Sequence, residues 1–191
     1  MALLDHYASN SLPAEGTYTA RCAHFIEIGL VETKFGVSYQ AKMAFELCEQ
    51  SRRADSPILV HMTVFNMSLR SQKFRDIIKA LSGRPELSGF DLKDLIGCGC
   101  EVTVTHRETE SGIFANVEVA RYRGTNKLPP LMSEPIFLSL HPSDFDPDVL
   151  EALPEKLRDK IKRGGTYQDL MLRRAMADKP AADIISDDIP F

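Results

Sequence analysis

The sequence predicts a mainly β chain with a helical C-terminal third, on three observations. Between Gly16 and about Arg123, apolar and polar residues alternate with period two, as half-buried strands require. The alternation breaks once, between Ser71 and Gly83, for a stretch of helical spacing. Beyond Arg123 the chain turns proline-rich and then amphipathic with helical period.

Residues 16–31, rich in Thr, Tyr, Ile and Val, read as a long first strand with Arg21 and Phe25 on its outward face. Residues 32–36 are a charged hairpin loop ending in glycine. In the second strand Val37, Tyr39, Ala41, Met43, Phe45 and Leu47 alternate with Ser38, Gln40, Lys42, Ala44 and Glu46, so the first set faces a core. A polar loop, residues 49–56, leads to a third strand with Ile58, Val60, Met62 and Val64 on one face. Phe74, Ile77, Ile78 and Leu81 then share a helix face, with Ser71 as N-cap and Gly83 as stop. After a short turn over residues 90–97, a fourth strand covers residues 100–106 with Val102 and Val104 buried. Residues 108–112 form a second hairpin loop, and Ile113, Ala115, Val117 and Val119 face the core from a fifth strand.

This order is that of a five-stranded OB-fold barrel with one helix between strands three and four. An open five-stranded meander with one helix is the alternative. The domain reading is therefore a barrel over residues 1–123, a proline-rich arm over 124–145, C-terminal helices over 146–177 and a flexible acidic tail over 178–191. In the helical part, Asp146 is an N-cap before Pro147, a second short helix stops at Gly164 and Gly165, and a third runs over residues 167–176.

A length of 191 residues suits one domain with appendages. Twenty-three basic and 27 acidic side chains give a net charge of −4, which at first sight disfavours a nucleic-acid partner. Residues 178–191, however, hold four aspartates and one lysine, a side-chain charge of −3, which leaves −1 for residues 1–177. A nucleic-acid groove on such a body has to be locally basic. No apolar stretch approaches the ~20 residues of a membrane span, and the N-terminus shows no basic and apolar signal pattern, so the expectation is a cytoplasmic protein without a membrane partner. Cys22, Cys48, Cys98 and Cys100 form no C-x-x-C pair, which suits reduced thiols better than zinc knuckles.

Catalytic patterns are absent: there is no nucleophile elbow, H-E-x-x-H, P-loop or G-x-G-x-x-G. The five histidines are singletons, and the carboxylates of Asp144, Asp146 and Asp148 read as helix-start acids. The expectation is a protein that is not an enzyme and needs no metal or cofactor. Binding chemistry is better represented. Arg21, Lys34, Phe35, Tyr39, Lys42, Arg52, Arg53, His61, Phe65, Arg107 and Phe114 lie on outward strand faces or in the adjoining loops. Cations that track phosphates, interleaved with rings that stack on bases, suit single-stranded nucleic acid. In an OB barrel such a groove crosses strands two and three between the two hairpin loops. For Tyr39 the strand parity points to the core instead. Packing is the competing role for every one of these aromatics.

The chain ends Asp187, Asp188, Ile189, Pro190, Phe191. This terminus resembles that of the bacterial single-stranded DNA-binding proteins. The body, with Lys34-Phe35-Gly36 in the first hairpin, the run 73–78 on the helix and the run 97–102 entering strand four, resembles their phage- and prophage-encoded counterparts. The resemblance implies an OB-fold protein that coats single-stranded DNA with little sequence preference during phage replication, recombination and repair in the bacterial host cytoplasm. It also implies a tip, residues 187–191, that docks helicases, nucleases, primase-associated factors or recombination mediators. The typical N-terminal strand and the long Gly/Gln/Pro-rich linker of the chromosomal proteins are both missing, and the phage-type resemblance does not imply their tetramer, although a homo-oligomer is compatible with the sequence. Two other readings stay open: an adaptor or decoy that presents the tail without holding DNA, and an OB-fold binder of RNA or oligosaccharide.

Overall fold

Alternation becomes a mainly antiparallel sheet in the computed structural model, which describes residues 12–34, 36–53, 55–84, 89–110, 112–124 and 127–177. The sheet holds β1 (Gly16–Thr33), β2 (Gly36–Leu47), β3 (Leu59–Phe65), β4 (Gly99–Thr109) and β5 (Gly112–Tyr122), with α1 (Cys48–Arg53) before β3 and α2 (Gln72–Ser82) after it. The hydrogen-bonded path is β3-β2-β1-β4-β5. Four successive antiparallel pairings make β3 and β5 run in the same direction. Their edges lie side by side, but no ladder joins them among the described residues. The sheet is thus an open path, and a closed barrel is not seen.

The inner faces of the strands form a first core around Met43, Phe45, Leu47, Val60, Val102 and Val104, plugged by Phe74, Ile77, Ile78 and Leu81 of α2. Removing each such side chain from water contributes roughly 1.5–3 kcal/mol. The helix is held in register by both caps: the Ser71 hydroxyl accepts from the Phe74 N–H at 3.4 Å, and Gly83 takes φ 68° while its N–H donates to Lys79 O.

The C-terminal third is a second layer. It comprises β6 (Ile136–Leu138), α3 (Pro147–Glu151), α4 (Glu155–Arg163) and α5 (Gly165–Ala177). Ile26 and Ile28, on the outward face of β1, pack with Ile136, Leu138, Leu140, Leu150, Ile161 and Leu170 into a second core. β6 pairs in parallel with β1, aligning His24, Phe25 and Ile26 with Ile136, Phe137 and Leu138. The proline-rich arm is therefore stitched to the sheet. No helix among the described residues is long and apolar enough to cross a membrane.

Five local expectations need correction. The ladder between β1 and β2 shifts register between Cys22 and His24. That bulge reverses the parity of the strand, so Phe25 turns inward, is fully buried, and lies 5.9 Å from the Phe137 ring. The loop expected over residues 49–56 begins as α1, whose Ser51 hydroxyl accepts from the Ile58 N–H at 2.7 Å. Val37, at the start of β2, is 63% exposed rather than core-facing, and Ile113 does not reach the core either and is 56% exposed. Gly164 ends α4, but Gly165 starts α5 rather than breaking the chain.

Candidate nucleic-acid interface

The open side of β3 faces β5, and three contiguous clefts run along it. The first, about 350 Å3, lies between Leu59, Val60 and His61 of β3 and Ile113, Phe114 and Ala115 of β5, beside Leu12 and Pro13. The second, about 730 Å3, separates His61, Met62, Thr63 and Phe65 from residues 115–119 of β5, with Gln72, Lys73 and Asp76 of α2 alongside. The third, about 420 Å3, joins Phe65 and Asn66 to Thr33, Lys34, Val37 and Ser38 at the first hairpin. His61 and Ala115 are shared by the first two clefts, and Phe65 by the last two. Together they form a groove that follows the seven residues of β3, about 20 Å at the usual rise of a strand.

Four of the residues singled out from sequence meet here: Lys34, His61, Phe65 and Phe114. Phe65 is 52% exposed and Phe114 51% exposed, so both rings are open to a ligand in the groove. Arg107 is exposed and pairs directly with Phe114 across the second hairpin, so the two side chains project from the same face. His61 carries no charge to the groove at neutral pH. Burial, followed by the Lys42 and His24 charges, pushes its pKa down to about 3.

Other expected positions serve the fold. Arg21 is the clearest correction. Its guanidinium donates to Pro129 O at 2.6 Å, to Leu128 O at 2.9 Å and to Gly97 O, which fixes the arm and the entry to β4. Tyr39 is half-buried and turns toward the C-terminal layer, where its hydroxyl donates to Glu27 Oε1 at 2.7 Å. Burial and the Glu27 carboxylate hold that phenol well above its ordinary pKa. Arg52 and Arg53 are exposed on α1 but line none of the three clefts. Lys42 is half-buried on the outward face of β2, in register with Thr63. Phe35 and the docking residues Asp187, Asp188, Ile189, Pro190 and Phe191 lie outside the described residues, as does the whole tail 178–191.

The charge of the groove departs from expectation. Among its lining side chains, Lys34 and Lys73 are matched by Asp76 and Glu118, so the lining is not basic. A group that sequence reasoning missed stands beside it. α4 holds five cations in nine residues, of which Lys156, Lys160 and Arg163 recur at i, i+4 and i+7 on one face. Lys160 Nζ donates to Gln40 Oε1 at 3.1 Å, and Gln40 pairs directly with Phe65. The cationic spacing was visible in the sequence; that α4 would pack on β1 and reach Gln40 of β2 was not.

The thiols of Cys22, Cys48 and Cys100 are buried, and burial raises the pKa of each, which makes them inert at neutral pH. Among the described residues no three His, Cys, Asp or Glu side chains gather as a metal site. No family model matches the chain, and no curated protein matches it.

Proposed function

We propose that the chain is a non-enzymatic single-stranded DNA-binding protein of the phage type, built on an OB-like curled sheet, that acts in the bacterial host cytoplasm. It coats single strands with little sequence preference and recruits replication or recombination enzymes through residues 187–191. One observation carries this reading: two half-exposed rings, Phe65 and Phe114, stand on one continuous groove bounded by the two hairpins. Stacking on such rings contributes ~1–3 kcal/mol per base and does not discriminate between bases. The strand order and the helix between β3 and β4 support the OB reading, with the β3–β5 groove as the seam where the barrel would close.

The experiment is a titration of fluorescent oligo-dT against the matching duplex. The expected result is tight, salt-sensitive binding to the single strand only; equal or absent binding to both overturns the proposal. Competition with oligo-U tests the RNA version.

The matched charges of the groove lining favour one rival, an adaptor that offers the tail to host enzymes without holding DNA. It wins if Phe65→Ala with Phe114→Ala leaves cellular function intact while deletion of Phe191 abolishes it.

A further inference from the structure

The groove lining lacks the excess of cations that a polyanion demands, so the phosphate contacts have to come from elsewhere on the same face. Directly paired residues of neighbouring antiparallel strands point the same way, with Cβ atoms about 4.5–5.5 Å apart. Gln40 and Phe65 are such a pair, and so are Lys42 and Thr63. The face that displays Phe65 is therefore the face over which Lys160 reaches to hold Gln40 at 3.1 Å. Arg163, one helical turn further, borders a cleft of about 590 Å3 with Lys160, next to Leu30, Val31 and Glu32 at the end of β1. That cleft opens beside the hairpin carrying Lys34.

Resting on the single-strand reading above, we propose that α4 supplies the phosphate-binding half of the interface. Lys160 and Arg163, backed by Lys42, take the backbone of a strand whose bases lie on Phe65.

The local chemistry suits an anion. Burial and then the Lys160 charge hold the Lys42 ammonium below its ordinary pKa, so these two cations repel across the face. A phosphate seated between them would turn that repulsion into attraction. Arg163 is open to solvent, with its side chain 81% exposed, a 3.8 Å contact to the Asp159 carboxylate and a 3.3 Å hydrogen bond from its Nε to Asp159 O. The competing carboxylates are that Asp159 and Glu32. By contrast, Arg158 and Lys162 of the same helix turn to Glu151, at 3.7 and 2.5 Å. One side of α4 is committed to Glu151 of the C-terminal layer, and the other carries Lys160 to Gln40 and Arg163 to the cleft at the end of β1.

The test uses the full chain and fluorescein-labelled oligo-dT, with affinity measured by anisotropy between about 50 and 200 mM NaCl. Each lost phosphate contact on a single strand lowers the slope of log K against log salt by ~0.7. Lys160→Gln with Arg163→Gln should therefore flatten the slope by about 1.4, so that the fall in affinity across this salt range shrinks roughly sevenfold. Arg163→Gln alone, at a side chain whose hydrogen bond and ion pair stay within α4, should flatten it by about half as much. Lys162→Gln should leave it unchanged. An unaltered slope in the first two variants, with binding still weakened in Phe65→Ala, overturns the role of α4 and leaves the single-strand reading standing. An equal change in Lys162→Gln also overturns it, because the effect would then be one of overall charge. If the unaltered chain fails to bind oligo-dT, both proposals fall together.

Discussion

The buried carboxylate of Glu46 accepts the hydroxyl of Ser133 at 2.6 Å and the Ser133 N–H at 2.8 Å, joining β2 to the proline-rich arm across 87 residues of sequence. The Met132 N–H donates to the same carboxylate at 2.9 Å. Three donors on one buried carboxylate form a clamp whose loss leaves several polar groups without partners. Stranded buried groups of this kind cost about 1–3 kcal/mol each. Glu46→Ala should therefore destabilise the protein by about 2–4 kcal/mol. Glu46→Gln, which keeps an acceptor oxygen, should lose less. Urea melts measure the difference, and trypsin should cut the Ala variant fastest near Lys127.

A second contact holds the helical layer at the other end of β1. The Thr166 hydroxyl accepts from the Leu30 N–H at 2.9 Å. This close approach is possible because residue 29 is glycine. Its φ is +85°, and a Cβ there would stand 2.7 Å from Thr166 Cβ. Gly29→Ala combines the left-handed backbone penalty with a clash against a short side chain, so it should cost about 2 kcal/mol or more. Thr166→Gly, which removes both clashing atoms but forfeits the hydrogen bond, should restore part of that loss in the double variant. Thermal unfolding of the four proteins of this cycle checks both statements.

These latches explain what the sequence could and could not reveal. Met43, Phe45 and Leu47 alternate along β2 and are all buried; Ser71 and Gly83 bracket α2 and cap it. Such signals are local, and local rules read them. The bulge at Cys22 and His24 contains no glycine and has no pattern of its own, yet it turns Phe25 from the outward face into the core. The roles of Arg21 and Tyr39 depend on residues 12 to 108 positions away, which no window of sequence contains. The same applies to α4. Its charged face is plain in the sequence, but its reach to Gln40, on the face that carries Phe65, depends on the second core.

The two rings of the groove should separate binding from stability. Phe65 and Phe114 are both about half exposed, so truncation removes little buried surface, and each alanine variant should unfold within about 1 kcal/mol of the parent. On the single-strand reading each should weaken oligo-dT binding roughly 5- to 150-fold, the equivalent of ~1–3 kcal/mol per lost stack. Phe65→Tyr should retain most of the affinity. Phe25→Ala is the contrasting case. That ring is fully buried against Phe137, so its removal should cost about 3–5 kcal/mol in stability. Anisotropy and denaturant titration on the same samples distinguish the two patterns.

His61 should make the protein acid-sensitive in a defined window. Its pKa in the fold is pushed down to about 3 by burial, by Lys42 and by His24, whereas an unfolded histidine titrates near 6.5. Above pH ~6.5 the ring is neutral in both states and has no effect on the balance. Between there and about pH 3 the unfolded chain takes up a proton that the folded chain refuses, so stability falls as pH falls. The slope approaches at most about 1.4 kcal/mol per pH unit for one proton. Below the folded value the loss stops growing, because both states are then protonated. His61→Gln removes this titration while keeping a polar side chain of similar length. Urea midpoints from pH 7 to pH 4 should therefore decline less steeply in the variant than in the parent, with the two curves diverging below pH 6.5. Parallel curves across that range would mean that solvent reaches the ring freely and that the Lys42 and His24 charges do not bear on it.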